Sequence, residues 1–161
     1  MPKIIKVVIN VGAKELARDK TLAGKLSEEL ALISGQKPSL RRAKKAIAGF
    51  QLGKGDPVGL MVTLRGKRMR DFLKRLLTIV LPRIRDFQGI SPASFDGRGN
   101  LTLGISEQVV FPEIDFNKID KVHGLEVTIV TNSKNDDEAK KLVEGLGMPI
   151  IWPRKQKSLS N

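Results

Sequence analysis

The 161-residue sequence predicts a mixed fold in which amphipathic helices cover one face of a β-sheet, and three observations carry that prediction. Runs rich in β-branched residues, bounded by glycine or proline, recur as strands. Between them apolar residues recur at helical spacing. Within the two strongest strands, alternation puts an apolar row on one face and a mixed row on the other.

Taken in order, KIIKVVINV (Lys3 to Val11) is β-branched and ends at Gly12, so it reads as a strand. Asp19 can cap a helix from Lys20 to Ser34, with Ala23, Leu26, Leu30 and Ile33 on one face and Gly35 as its stop. Pro57 precedes a second strand, VGLMVTLR, which Gly66 ends. Met69, Phe72, Leu73, Leu76 and Val80 then mark a helix from about Lys67 to Leu81, closed by Pro82. Strands follow at Leu101 to Ser106 and Leu125 to Thr131, and Asn135 with Glu138 offers a capping box for a last helix ending at Gly147. There is no internal repeat and no linker long enough to divide the chain. Residues 1–150 therefore read as one domain, followed by a basic tail over residues 151–161 that is expected to be disordered.

Composition narrows the function. With 40% apolar and 29% charged residues the chain reads as globular and soluble, and no apolar run approaches the roughly 18 residues of a membrane span. The N-terminal segment lacks the features of a signal peptide and there is no cysteine, which fits an intracellular location. The absent thiols exclude a cysteine nucleophile, a zinc–thiolate site and an iron–sulfur cluster. The net charge is +12, and it is uneven: residues 1–85 carry 20 Lys and Arg against 6 acids, a balance of +14, whereas residues 86–161 carry 9 against 11, a balance of −2. Such asymmetry points to a polyanionic partner on one region, nucleic acid before a membrane surface. Scattered solvated lysines do not account for the acid-free decamer QKPSLRRAKK at residues 36–45.

Strand alternation locates a surface. In the first strand Ile5, Val7, Ile9 and Val11 share one face, and Ile4, Lys6, Val8 and Asn10 the other. In the second, Val58, Leu60, Val62 and Leu64 oppose Gly59, Met61, Thr63 and Arg65. The helices can cover the apolar face and leave open the one bearing Lys6, Asn10, Thr63 and Arg65. Hydroxyl, amide, ammonium and guanidinium groups on one sheet face suit phosphate and 2′-hydroxyl contacts. An ordinary solvent face is the alternative on pattern alone.

Catalytic candidates are few. His123 has no neighbouring nucleophile and reads as a turn or surface residue. GKGDPVG lacks the spacing of a phosphate-binding loop. Asp96, Glu107, Glu113 and Asp115 could gather around Mg²⁺, but SFDGRGN with scattered acids is more simply turn chemistry and solubility. We expect no enzyme activity, no cofactor and no metal.

ISGQKP (33–38), VTLRG (62–66), LPRIRDFQGIS (81–91), SFDGRGN (94–100) and FPEIDF (111–116) occur in that order. Together they resemble the bacterial form of the large-subunit ribosomal protein L-five family, from about Lys3 to Met148. The resemblance implies an α+β fold whose antiparallel sheet has helices on one face and the other open for RNA, with one long basic loop. It implies a cytoplasmic, ribosomal protein that serves translation by holding 5S rRNA in the central protuberance. Large-subunit rRNA, P-site tRNA and the small-subunit head protein S-thirteen would be further partners, and the free chain would be a monomer. By the same resemblance the 5S rRNA-binding residues are Lys6, Asn10, Gln36, Thr63 and Arg65, four of which lie on the mixed face. The loop over residues 42–57 would reach P-site tRNA, with Lys44, Lys45 and Lys54 meeting phosphate and Phe50 either stacking or pinning the loop to the domain. A nonspecific RNA chaperone, needing only the charge, is the alternative function. Most bacterial members begin with a helical segment ahead of the first strand, so either the lineage dispenses with it or the chain is cut short. At the other end, the alternative to a disordered tail is an added rRNA contact.

Overall fold

A computed structural model describes residues 1–12, 20–42, 44, 54–55, 57–85, 87–119 and 122–150. Its centre is a five-stranded antiparallel sheet in the order β2-β3-β1-β5-β4. The strands are β1 (Ile4–Gly12), β2 (Ser39–Arg42), β3 (Pro57–Leu64), β4 (Leu101–Ile105) and β5 (Leu125–Thr131). The helices are α1 (Lys20–Ser34), α2 (Gly66–Arg75), the short α3 (Leu81–Arg83) and α4 (Asp136–Gly145). The α+β class follows from this arrangement.

The alternating apolar rows do what their period requires. Val7, Ile9 and Val11 of β1, Leu60, Val62 and Leu64 of β3, Leu101, Leu103 and Ile105 of β4, and Val127 and Ile129 of β5 are buried. They form one cluster with Leu26, Leu30 and Ile33 of α1, Met69, Phe72 and Leu73 of α2, and Ala139 and Val143 of α4. Phe72 stacks on Phe111 with ring centroids 6.1 Å apart, which ties the segment after β4 to α2.

Four local features differ from the sequence expectation. Ile5 does not share the buried row: the β1–β5 register shifts between Ile4 and Lys6, and Ile5 is 44% exposed. Ser39–Arg42 is a strand, an element the sequence reading did not assign; all four residues are exposed, and β3 supplies the pairing. Pro82 does not close its helix. The chain widens into a π turn over Leu76–Val80, where Leu81 N–H bonds to Leu76 C=O, and continues to Arg83. A wide turn one step before proline relieves the clash its ring would make with the carbonyl four residues back. The last helix ends at Gly145, and Gly147, at φ 97°, lets the chain turn back so that Met148 N–H reaches Val143 C=O. The predicted Asn135 cap forms, Asn135 Oδ1 accepting from Glu138 N–H at 3.0 Å, while the reciprocal bond is displaced by one residue: the Glu138 carboxylate accepts from Lys134 N–H at 2.9 Å rather than from the N-cap residue itself. The proposed Asp19 cap and the tail over residues 151–161 lie outside the described residues.

Candidate nucleic-acid interface

The pairing register lines up side chains across the sheet. Ser39, Met61, Asn10, Glu126 and Gly104 form one row across all five strands. Thr63, Val8, Thr128 and Thr102 form the next, where the two facing hydroxyls of Thr102 and Thr128 are 3.3 Å apart. Lys6 and Arg65 flank the Val7–Leu64 pair just beyond, at one end of the sheet. Every residue named in these rows, with Lys6 and Arg65, is half-buried or exposed, in contrast to the intervening buried apolar residues. Arg65 has an extended backbone (φ −136°, ψ 159°), so the strand alternation that carries Thr63 continues through it.

Gln36 reaches this surface from the end of α1. Gly35, at φ 75°, ends the helix by donating to Ala31 C=O, a conformation glycine adopts without penalty. The Ser34 hydroxyl donates to Leu30 C=O and accepts from Gln36 N–H, fixing the turn. The Gln36 side chain then donates from Nε2 to Thr63 C=O at 3.1 Å and accepts at Oε1 from Arg68 Nη1 at 3.2 Å. The fold thus brings together Lys6, Asn10, Gln36, Thr63 and Arg65. Lys6, Asn10 and Arg65 make no side-chain hydrogen bond or ion pair among the described residues.

Sequence reasoning missed three contributors. Arg68 stands three residues beyond Arg65, and helical spacing after a strand-terminal arginine was the signal that could have found it. Ser39 and Arg41 come with β2, whose Ser39 hydroxyl donates to Met61 C=O at 3.2 Å. Of the loop residues, Lys44 and Lys54 are exposed, whereas Lys45 and Phe50 lie outside the described residues. The ends of this loop are joined: Arg42 pairs with Pro57, and its Nη1 donates to Gly55 C=O at 3.0 Å.

The catalytic candidates do not converge. His123 Nε2 lies 2.6 Å from Glu29 Oε2, and its backbone N–H donates to Gln108 Oε1, so it ties the segment before β5 to α1. Glu113 pairs with Arg75, and Asp115 accepts from Asn117 N–H. Asp96 accepts from the Asn100 side-chain amide and from Arg98 and Asn100 N–H, and these bonds, the Asn100 amide first, hold its carboxyl below the ordinary aspartate range. Among the described residues no three His, Cys, Asp or Glu side chains are grouped to hold a metal ion.

Two family profiles match the chain. One, described as ribosomal protein L5, covers residues 1–52, and the other, described as the C-terminus of the same ribosomal family, covers residues 57–150. The large ribosomal subunit protein uL5 of Syntrophomonas wolfei is 55% identical over 151 residues, 93% of this chain and 84% of that protein. Its counterpart from Dictyoglomus turgidum is 54% identical over 150 residues, with 93% and 84% covered. That of a Nostoc species is 55% identical over 151 residues, with 93% and 82% covered.

Proposed function

The chain belongs to the ribosomal protein L5 family and is a structural, non-catalytic constituent of the large ribosomal subunit, and from that premise we propose that it binds 5S rRNA through Lys6, Asn10, Gln36, Thr63 and Arg65. The observation that carries this proposal is the convergence of these residues on one sheet face, with the cations and the Asn10 amide unpaired among the described residues. Unpaired guanidinium and ammonium groups beside hydroxyls and amides favour phosphate and sugar contacts, and the fixed Gln36 and Thr63 favour recognition of one folded RNA over any polyanion. Glu126, the cross-strand neighbour of Asn10 on β5, gives the surface a direction, because it disfavours phosphate on that side of the row.

We further propose that residues 1–150 act as one RNA-binding domain, monomeric when free, with 151–161 a basic tail. The loop over residues 42–57 contacts P-site tRNA and the protein reaches S-thirteen of the small-subunit head, both on the ground of family resemblance. The localisation is that of the cytoplasmic ribosome. No helix among the described residues is long and apolar enough to cross a membrane.

Arg65→Ala tests the site. It should weaken 5S rRNA binding by about 1 to 3 kcal/mol while the protein stays folded, and wild-type affinity in the folded variant would remove Arg65 from the interface.

A further inference from the structure

We propose that Arg98 is an additional RNA contact, a guanidinium presented on a carboxylate-locked turn so as to take a phosphodiester of the RNA bound on the sheet. The proposal rests on the 5S rRNA reading and extends the interface two strands beyond β1.

Every backbone N–H of the turn from Asp96 to Asn100 is held by a hydrogen bond. Gly97 N–H and Gly99 N–H donate to Asp136 Oδ2 and Oδ1 at 3.0 and 2.9 Å. Arg98 N–H and Asn100 N–H donate to Asp96 Oδ1 at 2.7 and 3.1 Å, and Asp96 N–H donates to Asn100 C=O at 3.1 Å. Thr131 closes the base, its hydroxyl donating to Gly99 C=O at 2.6 Å and its N–H to Asn100 Oδ1 at 3.2 Å. Gly97 and Gly99 both sit at φ 86°, and a Cβ on Gly99 would lie 2.9 Å from that of Ser133. Only glycine meets both demands at position 99.

Arg98 is exposed at the tip of this rigid turn, and its guanidinium has no partner among the described residues. That is unexpected beside two carboxylates, since an exposed arginine ordinarily finds an available acid. Here both carboxylates are occupied by backbone N–H groups. The planar fork of N–H donors is left free for bidentate capture of an anion, on a backbone that loses little entropy on binding.

The topology says which anion. Antiparallel pairing puts the start of β1, the ends of β3 and β5 and the start of β4 at the same end of the sheet. Lys3, Lys6, Arg65, Arg68, Lys134 and Arg98 therefore share that end. Most acids among them are already used, Asp96 and Asp136 on the turn and Glu138 on Lys134 N–H. At about 4.8 Å per strand, β4 lies roughly 10 Å from β1, close enough for one RNA to span both. A line of cations along a sheet end, none of them ion-paired among the described residues, matches a phosphate backbone rather than a single small anion.

Full-length protein titrated with 5S rRNA, and separately with rRNA stripped from large subunits, over a range of salt tests this. Arg98→Gln should weaken binding several-fold and reduce the log–log salt slope by about 1, with the Gly97 and Gly99 amide resonances unmoved. Asp136→Asn supplies the sign test. Removing a negative charge should tighten RNA binding if only bulk electrostatics matter, whereas loosening the turn should weaken it, and the weakening should vanish in the Arg98→Gln background. Unchanged affinity and slope in Arg98→Gln on both RNAs would overturn the proposal and leave the sheet site standing. A silent Arg65→Ala beside an active Arg98→Gln would do the reverse. Tighter binding by Asp136→Asn would overturn the positioning role of the turn, and a wild-type protein that binds neither RNA would overturn both.

Discussion

The Gln36 side chain donates to the carbonyl of Thr63 across a sequence separation of 27 residues, and so locks the turn after α1 to the penultimate residue of β3. One amide therefore serves both the fold and the surface. Gln36→Ala should cost about 1 kcal/mol of stability, the net worth of a typical hydrogen bond, and should also release Arg68 from its acceptor. We expect a small drop in Tm and a larger fractional loss of 5S rRNA affinity. A variant that lost stability but bound RNA as wild type would make Gln36 a structural residue only.

The loop over residues 42–57 should be separable from the 5S site. Its ends are already joined by the Arg42–Pro57 pair, which the shortening leaves in place, so the change alters little beyond closure entropy, which shifts by only about 0.6 kcal/mol per doubling of length. Replacing Ala46 to Asp56 with a short Gly/Ser linker should preserve Tm and most 5S rRNA affinity while ribosomes containing the variant hold P-site tRNA less well. Loss of 5S binding as complete as in an Asn10→Ala, Arg65→Ala double variant, with the fold intact, would place the loop in the 5S interface.

The turn at Asp96 should respond to acid. Its carboxyl titrates below the ordinary aspartate range because the Asn100 side-chain amide, and then the N–H groups of Arg98 and Asn100, favour the ionised form. A depressed folded-state pKa means that the stabilisation is present above the unfolded value and is lost as pH falls through the folded one. An NMR titration should show the Arg98 and Asn100 amides moving with Asp96 at acid pH, and Asn100→Ala should raise the Asp96 midpoint. A midpoint at or above that of an unstructured aspartate would contradict this account of the turn.

The buried rows of β1 and β3 and the apolar stripe of α2 were legible in the sequence because each is a periodic pattern that one packed face enforces. Met69, Phe72, Leu73, Leu76 and Val80 are all buried. The exceptions arose where the controlling partner is distant or the period breaks. Ser39–Arg42 has no apolar period and is held as a strand only by β3, whose Met61 stands 22 residues on from its partner Ser39. Ile5 obeys alternation in sequence and leaves it in space because the register shifts beside it. The π turn before Pro82 answers a backbone clash that hydrophobic spacing does not report. For the site, alternation singled out Lys6, Asn10, Thr63 and Arg65, but the role of Gln36 came from family resemblance. Its bond to Thr63 depends on a tertiary approach that no local pattern encodes.

The most direct test of the central claim is a competition titration, in which labelled 5S rRNA bound to the full-length protein is challenged with excess tRNA and with duplex RNA at moderate salt. Recognition of one folded RNA by a fixed sheet surface predicts that 5S rRNA stays bound, with a log–log salt slope of several units if roughly 5 to 8 phosphates are engaged. Displacement of 5S rRNA by either competitor at comparable concentration would contradict it, and would mark the protein as a charge-driven RNA chaperone.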